Sequence, residues 1–203
     1  AARSELGIGM TERARLLFLR AHSVVPAKGR SSTLMECSRL EEFIGDAELA
    51  RAILCRGRLQ YSHDWKVWLE SILLENRNRN FLRAIELCDI ALEMHQGTGR
   101  LWATLVQLKQ FDGRDEAQHI ALRRALNAVP KSGEVWCEGG RIHLNPFSDT
   151  FDLDRARRHL HFATRFTPQY GDGFVEMIRF ELVRQWLSPI ARYIWDQTKH
   201  AFC

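Results

Sequence analysis

An all-α fold, a solenoid of stacked helical hairpins, is predicted for this chain by three recurring sequence features. Trp68, Trp102 and Trp136 lie 34 residues apart, the length of a helix-turn-helix repeat with an aromatic residue near its start. Small residues recur in pairs later in each unit, and prolines follow several of these pairs. We therefore predict about five hairpin repeats in residues 1–203, forming one repeat domain that mainly presents a binding surface.

Each unit has an apolar anchor in its first helix. Counting 34 residues back from Trp68 reaches Leu34, and counting 38 residues forward from Trp136 reaches Phe174. We expect all five anchors to occupy equivalent buried positions between the two helices of their own hairpins. These anchors are Leu34, Trp68, Trp102, Trp136 and Phe174.

The second helix of each unit is marked by two small residues seven positions apart. Small side chains are needed where two helices cross closely, at about 8 to 10 Å. The pairs are Ala14 with Ala21, Ala50 with Gly57, Ala84 with Ala91, and Ala156 with Ala163, while another unit has Gln118 and Ala125. Pro26, Pro130 and Pro168 each follow five residues after the second small residue, and proline ends a helix because it lacks the amide hydrogen.

These signals predict the helix bounds. The predicted helices are 10–24, 32–44, 46–60, 64–76, 79–95, 98–111, 114–129, 132–144, 152–167 and 170–184, with a closing helix from Ser188 to about residue 200. A linker over Lys28 to Ser32 precedes the second helix, and Asp149 or Asp152 is expected to cap the ninth. Helix 10–24 has a second-helix pattern without a first helix before it, which predicts a fragment of a longer array.

These residues resemble the half-a-TPR, or HAT, repeat, a relative of the tetratricopeptide repeat (TPR). In the HAT pattern a glutamate follows the anchor by seven residues, as Glu41, Glu75 and Glu181 do here. The second helix of that pattern begins with Ala-Arg and ends with Arg-Ala, which Ala14 to Ala21 reproduces. Lys109 and His143 depart from it, since they stand where the glutamate is expected, and Ile85 replaces the first arginine of its unit.

The resemblance implies a right-handed superhelix and a scaffold role. HAT-repeat proteins belong mostly to RNA-processing assemblies, such as splicing, cleavage and polyadenylation, and ribosome-biogenesis particles. A nuclear protein that binds other members of a multi-subunit complex is therefore the implied function. Two alternatives stay open, namely direct RNA binding and a cytoplasmic TPR adaptor, because a repeat fold alone does not decide among them.

Basic side chains recur at one place in the repeat, five residues after the anchor. In TPR-like folds the first helices line the concave groove, so the resemblance implies a ladder of these residues facing it, joined by basic residues two positions before the anchor. The candidate partner-binding residues are Arg39, Lys66, Arg100, Gln107, Arg141 and Arg179. Such a ladder suits an acidic peptide or a phosphate backbone. The alternative is a solvated face on which nearby carboxylates, such as Glu42, Glu134 or Asp172, neutralise the arginines.

Composition predicts neither catalysis nor membrane insertion. No nucleophile, base and orienting group can be recognised together, and we expect no cofactor and no metal site. There is no long apolar run, the net charge is +4, and the five cysteines, without a Cys-x-x-Cys pair, fit a reducing compartment. The expected partners are other proteins of a larger complex, and the sequence leaves a homodimer open.

Overall fold

The computed structural model describes residues 10–112 and 115–187. Over these residues the chain forms ten α-helices and no strand, which confirms the all-α prediction. The helices are α1 (Thr11–Val24), α2 (Arg30–Ile44), α3 (Ala47–Gln60), α4 (Trp65–Arg77), α5 (Phe81–Met94), α6 (Gly99–Lys109), α7 (Asp115–Ala128), α8 (Gly133–His143), α9 (Leu153–Phe166) and α10 (Gly171–Trp186). Leu101 ends one compact unit and Trp102 begins the next, and each unit is described by itself.

Aspartate caps begin several helices where the sequence places them. Asp152 accepts a hydrogen bond from the backbone N–H of Arg155 at 2.9 Å, which confirms it as the cap of α9. Asp46 caps α3 and Asp64 caps α4 in the same manner. Each carboxylate satisfies an amide that has no partner inside its helix.

The helix ends follow the predicted breakers. α1, α7 and α9 each end two residues before a proline, at Val24, Ala128 and Phe166. α2 ends at Ile44 and is followed by Gly45, whose φ of 100° lies in the left-handed region that glycine adopts without steric cost.

Two predicted boundaries differ from the observed ones. α2 begins at Arg30 and is preceded by a 3₁₀ turn over Ala27–Gly29, so the predicted linker was wrong for Arg30 to Ser32. Serine is accepted in a first helical turn, and Ser31 is buried there. α6 ends at Lys109 and continues as a 3₁₀ turn over Gln110–Asp112. The predicted closing helix from Ser188 lies outside the described residues.

In the first unit, consecutive helices from α1 to α5 pack on each other, and α2 also contacts α4 one repeat later. The small residues lie at these crossings, since Ala50 and Ala84 are fully buried. A Cβ atom added to Gly57 would lie 3.1 Å from Cγ1 of Val67 and 3.8 Å from Cδ1 of Leu34. The helices therefore approach closely at this crossing, which is the predicted reason for a small residue there.

The second unit repeats this arrangement. α8 packs against α7, α9 and α10, and α9 packs against α10. Ala156, Leu160, Ala163 and Phe180 form its core with Cys137. The turn between α8 and α9 is held by a hydrogen bond between His143 Nδ1 and the backbone oxygen of Thr150, at 2.9 Å.

The anchors occupy their predicted places in part. Leu34, Trp68 and Trp102 are buried. Trp68 and Trp136 both donate the indole N–H to the carbonyl oxygen six residues earlier, of Ser62 and Pro130, which shows that the two positions are equivalent.

The predicted burial does not extend to the last two anchors. Trp136 is half-buried and Phe174 is 48% exposed. The second helix of the Phe174 hairpin would begin at Ser188, which lies outside the described residues. In the part of the chain that the structure describes, no helix is both long and apolar enough to cross a bilayer.

Candidate functional site

Arginines of the second helices clasp the glutamates that follow the anchors by seven residues. Arg15 of α1 donates to both carboxylate oxygens of Glu41 of α2, with Nε to Oε1 at 2.9 Å and Nη2 to Oε2 at 2.6 Å. Arg51 of α3 binds Glu75 of α4 in the same bidentate way, at 2.9 and 3.1 Å. The second-helix arginine and the first-helix glutamate of the HAT pattern are therefore the two partners of one contact between successive repeats. Bidentate guanidinium–carboxylate pairs fix geometry as well as charge.

A second set of pairs joins successive first helices. The residue five positions after one anchor donates to the glutamate two positions after the next anchor. The pairs are Arg39 with Glu70, Gln107 with Glu138, and Arg141 with Glu176. We call these the carboxylate ladder. Each carboxylate belonging to it is buried, so the ladder holds charge inside the repeat stack.

The predicted partner-binding residues are thus mostly joined to carboxylates. Gln107 and Arg141 meet at Glu138, and Arg141 and Arg179 meet at Glu176. Asp172 lies 3.5 Å from Arg141, as the alternative of a neutralised face predicts.

The remaining predicted residues lie in different surroundings. Lys66 is exposed and lies over the ring of Trp65, with Nζ 6.0 Å from the ring centroid. Arg100 is half-buried. Two other carboxylates were expected to neutralise the predicted arginines. Glu42 pairs with Arg77 instead, and Glu134 contacts Ser132.

The glutamates of the ladder are the residues that sequence reasoning missed. Glutamate stands two positions after four of the five anchors, at Glu36, Glu70, Glu138 and Glu176. This recurrence was the available signal. At the remaining step the two ladder positions hold Leu73 and Thr104, so neither half of a charged pair is present there.

The pKa values of Glu70 and Glu138 are shifted in opposite directions, because different numbers of arginines contact the two carboxylates. Burial alone would raise the pKa of Glu70, but hydrogen bonds from Arg39 and Arg77 outweigh it and hold this pKa below its usual value. Burial raises the pKa of Glu138 to about 7. Among the described residues, Arg141 alone brings a guanidinium to Glu138, and Glu176 shares that guanidinium.

Replacing Gln107 by arginine is expected to stabilise the chain above neutral pH. Gln107 stands where Arg39 stands two repeats earlier, so Gln107→Arg would give Glu138 a second guanidinium. A carboxyl with a raised folded pKa contributes stability that is present below its unfolded pKa, about 4.5, and is lost as pH rises through about 7. Lowering that pKa by about one unit should add about 1 kcal/mol of unfolding free energy at about pH 8.

Urea unfolding of both proteins at about pH 5 and about pH 8 would check this prediction. The control is Gln107→Met, which removes the hydrogen bond to Glu138 without adding charge and should not stabilise. An equal effect of Gln107→Arg at both pH values would contradict the assigned charge of Glu138.

Histidines replace the arginine–glutamate clasp at the junction between α7 and α8. His119 and His143 stand at the two clasp positions, with ring centroids 5.9 Å apart. The His159 ring lies 5.3 Å from that of His143 and 5.0 Å from that of Trp136. Nδ1 of His159 is buried with no hydrogen-bond partner among the described residues. Burial, with the charges of His143, Arg158 and Arg155, lowers the pKa of His159 to about 4.

We expect His159 to make the folded state sensitive to acid. Its folded pKa is depressed, so the folded state binds fewer protons than the unfolded one. The resulting stability is present above about pH 6.5 and is lost as pH falls through about 4, with a magnitude on the order of 3 kcal/mol. His159→Leu, which introduces the residue found at the equivalent Leu87, should flatten this loss in urea melts. If wild type and variant lose stability equally with acid, His159 is not the sensitive group.

Comparisons with known proteins identify the type of repeat. A family model described as PRP6, TPR-like domain, matches residues 1–201. A TPR-containing protein of Dictyostelium discoideum is 48% identical over 133 residues, which are 66% of this chain and 10% of that protein. The chain therefore spans about a tenth of the length of that relative.

Solved structures agree on the fold. A thermophilic TPR protein of Thermus thermophilus has a TM-score of 0.59 at 15% identity, covering 91% of this chain and 95% of that one. A chain of the Cut9–Hcn1 hetero-tetramer of the APC/C has a TM-score of 0.53 at 16% identity, covering 88% of this chain and 34% of that one. The predicted resemblance to TPR-like helical repeats is confirmed, and this fold is suited to protein–protein interaction.

Proposed function

Because the chain belongs to the PRP6 TPR-like domain family, we propose that it is a protein-interaction scaffold in a nuclear, multi-subunit RNA-processing complex. Pre-mRNA splicing is the first candidate process, ahead of cleavage and polyadenylation or ribosome biogenesis, because the family carries the PRP6 description. The observation that carries the proposal is the extent of the family match, over residues 1–201. The matched feature is the array of hairpins and not one hairpin alone.

The chemistry of the described residues supports binding rather than catalysis. The buried glutamates of the chain accept hydrogen bonds from arginines or amides of neighbouring repeats. These glutamates therefore serve as structural contacts. TPR-type repeat proteins are generally scaffolds without enzymatic activity. The structurally similar Cut9–Hcn1 chain is itself part of a hetero-tetramer, which illustrates the type of assembly proposed here.

Partner contacts by the ladder residues form part of the proposal. The side chains of Arg39 and Arg179 are 49% and 56% exposed, and Lys66 is exposed. Their solvent-facing donor groups would meet carboxylates of a partner, as would the polar groups of Arg100 and Gln107. Arg141, at 26% exposure, is enclosed by three carboxylates and would contribute least.

Affinity purification of the full-length protein from nuclear extract, with and without RNase, tests this function. A scaffold keeps its protein partners after RNase treatment, and those partners should be subunits of one RNA-processing assembly. Loss of all partners on RNase treatment, with RNA crosslinked to the chain itself, would overturn the scaffold proposal in favour of direct RNA binding. Partners drawn only from cytoplasmic complexes would overturn the nuclear assignment.

A further inference from the structure

An open groove of about 580 Å³ lies where the first turns of α2 are flanked by α1 and α3. Its volume falls within the range of about 300 to 1,000 Å³ that is usual for ligand-binding sites. All of its lining residues belong to the first compact unit. The arginine–glutamate clasps and the carboxylate ladder described above use none of these lining residues.

The apolar part of the groove is aliphatic. Leu34, Ile53 and Leu19 contribute to the lining, and Leu19 is 64% exposed. An exposed leucine beside a recess offers contact area to an incoming apolar side chain, because burying it removes about 25 cal/mol of unfavourable hydration per Å². The groove can therefore accept a residue such as leucine from a partner.

The charged part of the groove is uniformly basic. Arg30, Arg56 and His22 line it, and no Asp or Glu is among the described lining residues. Arg30 donates through Nε to the backbone oxygen of Val25 at 3.3 Å, and neither guanidinium pairs with a carboxylate among the described residues. In the clasps and the ladder, by contrast, the arginines are neutralised by glutamates. Arg30 and Arg56 therefore keep donor groups that suit carboxylates supplied from outside.

We propose that the α1–α2–α3 groove binds an acidic segment of a partner protein that inserts an apolar side chain between Leu19, Leu34 and Ile53, with its carboxylates on Arg30 and Arg56. The proposal rests on the scaffold function and assigns to it a surface and a ligand class. A protein segment fits better than RNA because RNA readers stack bases on exposed aromatic rings. The apolar lining of this groove is mainly aliphatic, and the two rings in the described lining, His22 and Tyr61, are both half-buried.

Selection of random short peptides displayed on phage, with the 203-residue chain as bait, tests the ligand class. The proposal predicts enrichment of peptides that carry Asp or Glu next to a leucine-like residue. Enriched peptides without acidic residues, or no enrichment at all, would overturn it.

Charge reversal then tests the site, with the most enriched peptide labelled for fluorescence anisotropy. Arg30→Glu with Arg56→Glu should weaken binding by at least about tenfold, the loss expected for charge-assisted contacts, with an unchanged Tm. The matched control is Arg157→Glu with Arg158→Glu, which makes the same charge change at exposed positions of α9 and should bind as wild type does. If the groove variant melts early, Arg56→Gln replaces it, with about tenfold loss again expected.

Further outcomes separate this proposal from its alternatives. Equal weakening by the groove and control variants would show attraction by net charge alone and would overturn the site. Single-stranded oligouridine that competes for the groove more strongly than the selected peptide would overturn the protein ligand. If the groove variant still recovers every RNase-resistant partner of the full-length protein, the groove assignment fails while the scaffold function stands.

Discussion

Replacing Arg141 by alanine is expected to lower the free energy of unfolding by about 3 kcal/mol, the cost of leaving buried charges unpaired. Arg141 donates to Glu138 and, at 2.9 Å, to Glu176, whose side chains are 3% and 9% exposed. Among the described residues, the partners left without this guanidinium are Gln107 for Glu138 and Arg179, at 3.5 Å, for Glu176. Burying two carboxylates costs desolvation free energy, and an alanine supplies no hydrogen bond that would offset this cost.

Urea unfolding followed by circular dichroism measures this loss, and Arg157→Ala is the matched control. Arg157 is exposed on α9, and it pairs with no carboxylate among the described residues, so its removal should change stability by less than about 0.5 kcal/mol. Coincident melts for Arg141→Ala and wild type would show that the ladder in the second unit is not a stabilising contact.

The other large expected effect is at the anchor Trp68. Trp68→Ala should cost about 3 to 5 kcal/mol, as large-to-small changes in packed cores do. The ring is 8% exposed, its Nε1 donates to the carbonyl oxygen of Ser62 at 3.0 Å, and the Arg58 guanidinium lies 5.5 Å from the ring centroid. The substitution therefore removes packing, a hydrogen bond and a cation–π contact together.

Trp186 provides the control for this change because it is 87% exposed at the end of α10. Trp186→Ala should leave the urea midpoint close to that of wild type. A similar midpoint shift for both tryptophan variants would refute the assignment of Trp68 as a buried repeat anchor.

Much of the fold could be predicted from local signals in the sequence. Trp68 and Trp102 are buried where the 34-residue spacing places them. Proline and aspartate mark helix ends through backbone chemistry within a few residues, so Pro130 and Asp152 specify their boundaries without tertiary information. Phe174 was less predictable, because burial depends on what packs against a helix as well as on its place in the repeat.

The candidate site was less accessible to sequence reasoning. The basic residues five positions after the anchors were recognised, but their pairing was not. Arg39 meets Glu70 only because α2 and α4 lie side by side, although 31 residues separate the two in sequence. Reading the glutamates across repeats, two positions after the anchor, would have predicted the ladder.

Arginines that pair with carboxylates of the chain and arginines that do not lie in different places, and this difference indicates which surface binds a partner. Arg15 and Arg51 mainly hold successive repeats together, and the ladder arginines share this role. Arg30 and Arg56 line a recess without a carboxylate partner in the described part of the chain. Charge that is neutralised inside a fold contributes little to attracting a ligand, so the unpaired pair is the better candidate contact.

The central claim is that signature charges of one repeat hold the next repeat in place, and a double-mutant cycle on Arg51 and Glu75 tests it most directly. The single variants Arg51→Leu and Glu75→Gln and their combination would be compared with wild type in urea. If the bidentate pair between α3 and α4 stabilises the fold, the cycle gives a coupling energy of about 1 kcal/mol or more. Additivity of the two substitutions within about 0.3 kcal/mol would contradict the claim.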